Sequence, residues 1–335
     1  MREARLAELE SSVAEKLAVV KRERATHTGA KLLGDRIFNT TTFLLALLIL
    51  VLLLGLAVAL IYDAFPAIKH FGLSFVISSE WDPVAEQYGA LPFIYGTFVS
   101  SLLALFIAVP LSLGVALCLS EMAPDWLSTR LGFLVDLLAA IPSVVYGLWA
   151  IFVMGPWLRD YVQPLLKFWF GWTPFFTGPK IAVGMLSASV ILAIMIIPYI
   201  SSVCTDVFRV VPHFQREAAL ALGATKWEMV TTAVIPYGFT GVIGAVILGL
   251  GRALGETIAV AMVIGNSSEI SLSLLKPSAT LASVIANEFA EATSELHVGA
   301  LIELGLVLLG LGIVLNVVAR ALVLGVSARR FEGGY

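Results

Sequence analysis

Of the 335 residues, 59% are hydrophobic and only 13% charged, with a mean hydropathy of +0.94. Soluble domains carry about 25% charged residues, so this chain is built for lipid. A net charge of −3 without a basic tract excludes a nucleic-acid partner, and Cys118 and Cys204 lie in apolar stretches with no metal-ligand spacing, as small buried side chains do.

Residues 1–36 carry mixed charge, with no secretory-signal pattern. Leu6, Leu9, Val13, Leu17 and Val20 recur at helical spacing, predicting an amphipathic helix over residues 3–24 of a cytoplasmic N-terminal extension. A membrane core of about 30 Å needs roughly 20 helical residues. Six stretches qualify: residues 37–62, 92–119, 131–155, 181–205, 237–264 and 298–323. The expected fold is therefore an all-α integral membrane protein with six transmembrane helices in a domain spanning residues 37–325, followed by a cytoplasmic tail over 326–335. With the N-terminus inside, fifteen Lys and Arg fall on cytoplasmic segments and five on outer ones. The positive-inside rule then places both termini and the 206–236 loop in the cytoplasm. An aromatic-rich outer segment, from Trp157 to Phe176, fits an interfacial helix or re-entrant hairpin at headgroup level.

Within the 206–236 loop, Glu217, Ala218 and Ala219 are followed by Gly223. Thr225 and Glu228 stand three apart as in a capping box. Gly223 just before them can take the positive φ that closes a helix. The spacing predicts two short helices at an angle, with Trp227 and Met229 free for apolar contact with a soluble partner. No Gly-Lys-Ser or Gly-Lys-Thr is present, so the chain has no P-loop. The four histidines form no catalytic pattern.

The fifth stretch contains Gly251-Arg252-Ala253-Leu254-Gly255-Glu256-Thr257. A charge at mid-bilayer costs roughly 2.5–3.5 kcal/mol on insertion scales. Spacing of four puts Arg252 and Glu256 on one helical face, where they can pair. Gly241, Ala245, Gly249 and Ala259 share that face, which must pack against another helix or line a water-filled path. Counted from Tyr237, Arg252 lies about 22 Å and Glu256 about 28 Å along the helix. Glu303, near the outer end of the sixth stretch, is expected at the depth of Glu256, with one arginine between two carboxylates. A pair that only locks helices is the plain alternative to a path for an oxyanion, which a guanidinium fork suits.

The loop resembles the signature of binding-protein-dependent ABC importer permeases: Glu-Ala-Ala, three residues, Gly, then an apolar pair before proline. Here Ala233 and Ile235 stand at the last two apolar positions, ahead of Pro236. The Gly-Arg-Ala-Leu-Gly-Glu-Thr run is similar to the phosphate-specific permeases. So are Tyr88-Gly89-Ala90-Leu91, Ile94-Tyr95-Gly96-Thr97, the runs 140–147 and 193–200, and Ala286-Asn287-Glu288-Phe289-Ala290-Glu291-Ala292. Together they resemble the C-type (PstC-type) subunit over residues 31–325.

The resemblance implies a type I importer permease fold, with a core repeat over residues 92–325, in a bacterial inner membrane. It implies a transport function without catalysis by this chain and without a cofactor of its own. ATP and Mg would sit on a partner ATPase docked at Glu217, Ala218, Ala219, Gly223, Thr225 and Trp227. It further implies a homologous second permease (PstA-type), two ATP-binding subunits (PstB-type) and an extracytoplasmic phosphate-binding protein (PstS-type). Arg252, Glu256 and Glu303 would line the substrate path. A sulfate- or molybdate-type permease, an ion relay working without ATP, and a regulatory scaffold remain as alternatives.

Overall fold

A computed structural model describes the backbone of residues 2–332 and the side chains of residues 34–321. The apolar face expected over residues 3–24 lies outside the described side chains. The chain divides into two units, residues 1–59 and 60–335. The first consists of helix α1 (Arg2–Phe71) up to the division; its side chains from Gly34 onward are almost wholly exposed, and from Phe43 onward all are apolar.

The second unit carries α2 (Leu91–Met122), α3 (Asp125–Ala139), α4 (Ser143–Phe170), α5 (Met185–Arg209), α6 (His213–Ala221), α7 (Lys226–Gly255), α8 (Ile258–Val263), α9 (Leu281–Glu288) and α10 (Glu295–Glu332). No named strand occurs among the described residues, which hold two isolated bridges. Among the described residues five helices are long and apolar enough to span a membrane, and α3 with α4, bent by 88° at their break, makes a sixth when the pair is counted as one span. The third stretch is thus broken where a continuous span was expected. Pro142 has no N–H and pushes Ile141 away from helical geometry, so α3 stops at Ala139 and α4 restarts at Ser143.

The fifth stretch differs in the same way. Helix α7 begins eleven residues earlier than expected, at Lys226, and ends at Gly255. Glu256 is extended (φ −70°, ψ 125°), and the chain restarts as α8.

Helix α5 is the axis of the core. Ile191, Leu192, Ile196, Ile200, Cys204 and Phe208 along it are fully buried. Cys118, expected to be buried, is exposed, whereas Cys204 is buried as expected. A Cβ on Gly238, Gly241 or Gly249 of α7 would meet Phe208, Val207 or Ile200 of α5 respectively. Rising numbers on α7 against falling numbers on α5 make the two antiparallel. The small-residue stripe therefore serves close helix packing. On α2, Gly96 approaches the Ala279 carbonyl so closely that a Cβ there would clash with it. Beside it, Thr97 accepts a hydrogen bond from the Leu281 N–H at 2.9 Å.

At the end of α2, Glu121 accepts two hydrogen bonds from Arg216 of α6, at 2.7 and 3.1 Å. The same guanidinium donates to the carbonyls of Phe208, at 2.7 Å, and Val211, beyond the last turn of α5. Both side chains are largely buried, 6% exposed for Glu121 and 13% for Arg216. One arginine thus fastens α6 to the ends of two spans and satisfies carbonyls that α5 leaves open. Removing one member strands a buried charge, at about 3–5 kcal/mol. Arg216→Ala or Glu121→Ala should lower stability by that order in detergent unfolding, and Glu121→Met with Arg216→Met should recover much of it. An unchanged midpoint in the single variants would contradict the clamp.

Candidate functional site

Two places gather the residues singled out by sequence. The first is the turn between α6 and α7. Gly223 has φ +87° and closes α6, with no atom within 4 Å of a Cβ built upon it. Thr225 caps α7 as predicted: its hydroxyl accepts from the Glu228 N–H at 3.3 Å, and Glu228 accepts from the Thr225 N–H at 2.7 Å. Glu217, Ala218, Thr225 and Trp227 are exposed, and Ala219 is half-buried against the core. Leu222 at 90% and Trp227 at 70% exposure form an apolar tip at this turn. Met229, expected on that tip, is buried instead.

The second place surrounds Arg252, in the last turn of α7, where the negative end of the helix dipole favours a cation. The expected pair with Glu256 is not formed. Spacing of four aligns two side chains only while the helix continues, and α7 ends between them. Glu256 turns to the start of α8, where its carboxylate accepts from the Ala259 N–H at 3.4 Å. Ion pairs among the described residues are Arg159–Asp160, Arg216–Glu121 and His297–Glu288. Glu303 is buried in α10, its Oε2 without a hydrogen-bond partner. The arrangement of one arginine between two carboxylates is therefore not present as ion pairs.

Arg252 lies instead over the ring of Tyr199 of α5, with its guanidinium carbon 4.1 Å from the centroid. A desolvated cation–π contact contributes about 0.5–2 kcal/mol, less than a charge-assisted bidentate pair. Its buried Nε has no hydrogen-bond partner. The arginine is half-buried, charged and under-used, which suits a ligand bearing several acceptor oxygens. Sequence reasoning missed Tyr199, Arg216 and Glu121. Tyr199 stands 53 positions and Glu121 stands 95 positions from its partner, so no local pattern marks either.

At the end opposite the α6–α7 turn, Trp81 Nε1 donates to Glu288 at 3.0 Å, His297 meets the same oxygen at 3.2 Å, and Tyr88 stacks on His297 at 5.2 Å. The Tyr88 phenol is pushed above its ordinary range, by burial first and by nearby Glu86 next. Three segments are tied there by side chains. The exposed aromatics Trp157, Phe168, Trp169 and Trp172 continue through α4 and just past it, as anchoring rings would. Among the described residues no cluster of three or more His, Cys, Asp or Glu is placed to hold a metal ion.

Residues 108–328 match the family model described as the binding-protein-dependent transport system inner membrane component. A phosphate transport system permease protein PstC of Mesorhizobium japonicum is 44% identical over 323 residues, covering 95% of this chain and 99% of that protein. The protein of the same name in Haemophilus influenzae is 45% identical, over 86% of this chain and 93% of its own. That of Xylella fastidiosa is 47% identical, over 84% and 88%. Among solved structures, the MetNI methionine ABC transporter in inward-facing conformations aligns at a TM-score of 0.52 and 17% identity, over 70% of this chain and 94% of that one; this likeness concerns the fold. On the strength of the matched model and these relatives, the chain belongs to the family of binding-protein-dependent transport system inner membrane components, in its PstC-type branch.

Proposed function

We propose that this chain is the transmembrane permease subunit of an ATP-driven phosphate importer of the bacterial inner membrane. It contributes part of the translocation path and performs no chemistry itself. ATP hydrolysis belongs to a partner ATPase, where ATP and Mg bind. The observation that carries the reading is Arg252: a guanidinium in a membrane-spanning helix, stacked on an aromatic ring, with a buried donor unused. Phosphate offers acceptor oxygens in the planar arrangement that a guanidinium fork matches. Glu256, close by in sequence but turned to α8, adds negative charge that weakens anion retention. Passage requires binding that is favourable yet brief. Glu303 is assigned to the same path on its burial and unused oxygen.

The positive-inside count orients both termini and the α6–α7 turn to the cytoplasm. Its exposed Leu222 and Trp227, beside Glu217, Ala218, Gly223 and Thr225, then face a PstB-type ATPase. A PstA-type permease and a PstS-type binding protein complete the assembly. Labelled phosphate uptake by the reconstituted complex, with excess sulfate as competitor, tests the substrate; sulfate blocking uptake as well as phosphate does would refute it.

A hydrogen bond to a charged group contributes about 1.5–3 kcal/mol, so Arg252→Gln should reduce uptake by roughly 10- to 100-fold with assembly near normal. Normal uptake in that variant would remove Arg252 from the path. Gly223→Leu forces a side chain into left-handed backbone at a cost of roughly 1–2 kcal/mol and places bulk where only a partner can meet it. ATPase co-purification and uptake should both fall, with Gly223→Ala as the strain-only control. Unchanged co-purification and transport in Gly223→Leu would count against docking at this turn.

A further inference from the structure

The break between α3 and α4 leaves backbone carbonyls open inside the span, where every polar group needs an internal partner. Two tyrosines supply it. Tyr199 donates its hydroxyl to the Ala139 carbonyl at 3.0 Å, and Tyr146 donates at 2.9 Å to the Leu138 carbonyl, which also accepts from the Ile141 N–H at 3.3 Å. Ser202, three residues beyond Tyr199 on α5, donates to Asp136 at 3.0 Å. Tyr199 is therefore shared: its hydroxyl holds the break and its ring face holds Arg252. Immediately before it, Pro198 removes a backbone N–H from the buried middle of α5, so the helix is weakest where that shared residue sits.

We propose that Tyr199 is a positioning residue for transport. Its ring seats the guanidinium of Arg252 beside the path, and its hydroxyl ties that seat to the break in the third span. Stacking takes the face of the guanidinium and leaves its edge donors free, so an anion meets an arginine whose orientation the ring already sets. Through the Tyr199 hydroxyl, that orientation depends on the break in a neighbouring span. The proposal rests on the reading of Arg252 as a pathway residue.

The test uses the complete importer in proteoliposomes, following ATP-driven phosphate uptake against the concentration of phosphate-loaded binding protein. Tyr199→Leu loses ring and hydroxyl, Tyr199→Phe keeps the ring, and Tyr146→Phe loses one cap of the break while leaving the stacking ring in place. Tyr199→Leu should lower kcat by about tenfold, the scale of a desolvated cation–π contact, with KM for the binding protein unchanged. Tyr199→Phe should fall between that variant and the parent, and Tyr146→Phe should stay within about twofold of it, the loss of one of two hydrogen bonds to the Leu138 carbonyl. Parental kcat in Tyr199→Leu, or equal losses in Tyr146→Phe and Tyr199→Phe, would overturn the proposal in favour of simple capping. Should Tyr199→Leu fail to assemble, the comparison of the two phenylalanine variants decides alone. Loss of uptake in Arg252→Gln with parental Tyr199 variants sinks only the positioning role of Tyr199, whereas full uptake in Arg252→Gln sinks the pathway reading itself.

Discussion

A guanidinium cannot discard its charge by losing a proton at physiological pH, so within a membrane span it must find a counter-charge, water or an aromatic face. Arg252 has the last of these, in Tyr199, and keeps a buried Nε–H unspent. That choice governs the surrounding structure. The helix carrying the arginine ends three residues later, and Glu256 is directed to the next helix. An ion pair would have neutralised the site and left little for an anion to gain. A ring holds the same side chain more weakly and leaves its edge donors oriented for exchange.

Around this residue the helices pack closely. Helices α5 and α7 meet through glycines on one side and Val207, Phe208 and Ile200 on the other, with no room for a Cβ at Gly241 or Gly249. At the far end of α5, Arg216 joins α6 to Glu121 on α2 and to the last carbonyls of α5. Leu222 follows α6, which this contact fastens to α2 and α5, whereas Trp227 lies in the first turn of the spanning helix α7 itself. Interior packing is dense and resists continuous deformation, so such contacts favour discrete displacements over gradual bending.

Much of this was legible in the residues because it is local. Apolar runs long enough to span a membrane located six crossings. Thr225 and Glu228 announced their capping box, and Gly223 its positive φ. What escaped was set by backbone breaks and by distance along the chain. Periodicity assumes an uninterrupted helix, so it paired Arg252 with Glu256 across a helix end and read residues 131–155 as straight despite Pro142. Met229 looked available because α7 was expected to begin at Tyr237, whereas its start at Lys226 turns that side chain inward. The contacts of Arg216 with Glu121 and of Arg252 with Tyr199 join residues far apart in sequence, and only packing brings them together.

The most direct measurement is a map of the assembled importer with phosphate held in the path, for example with ATP hydrolysis blocked. The account predicts anion density within hydrogen-bonding distance of the edge of the Arg252 guanidinium, with its face still on the Tyr199 ring. An arginine sealed from every solvent route while phosphate passes elsewhere would contradict it.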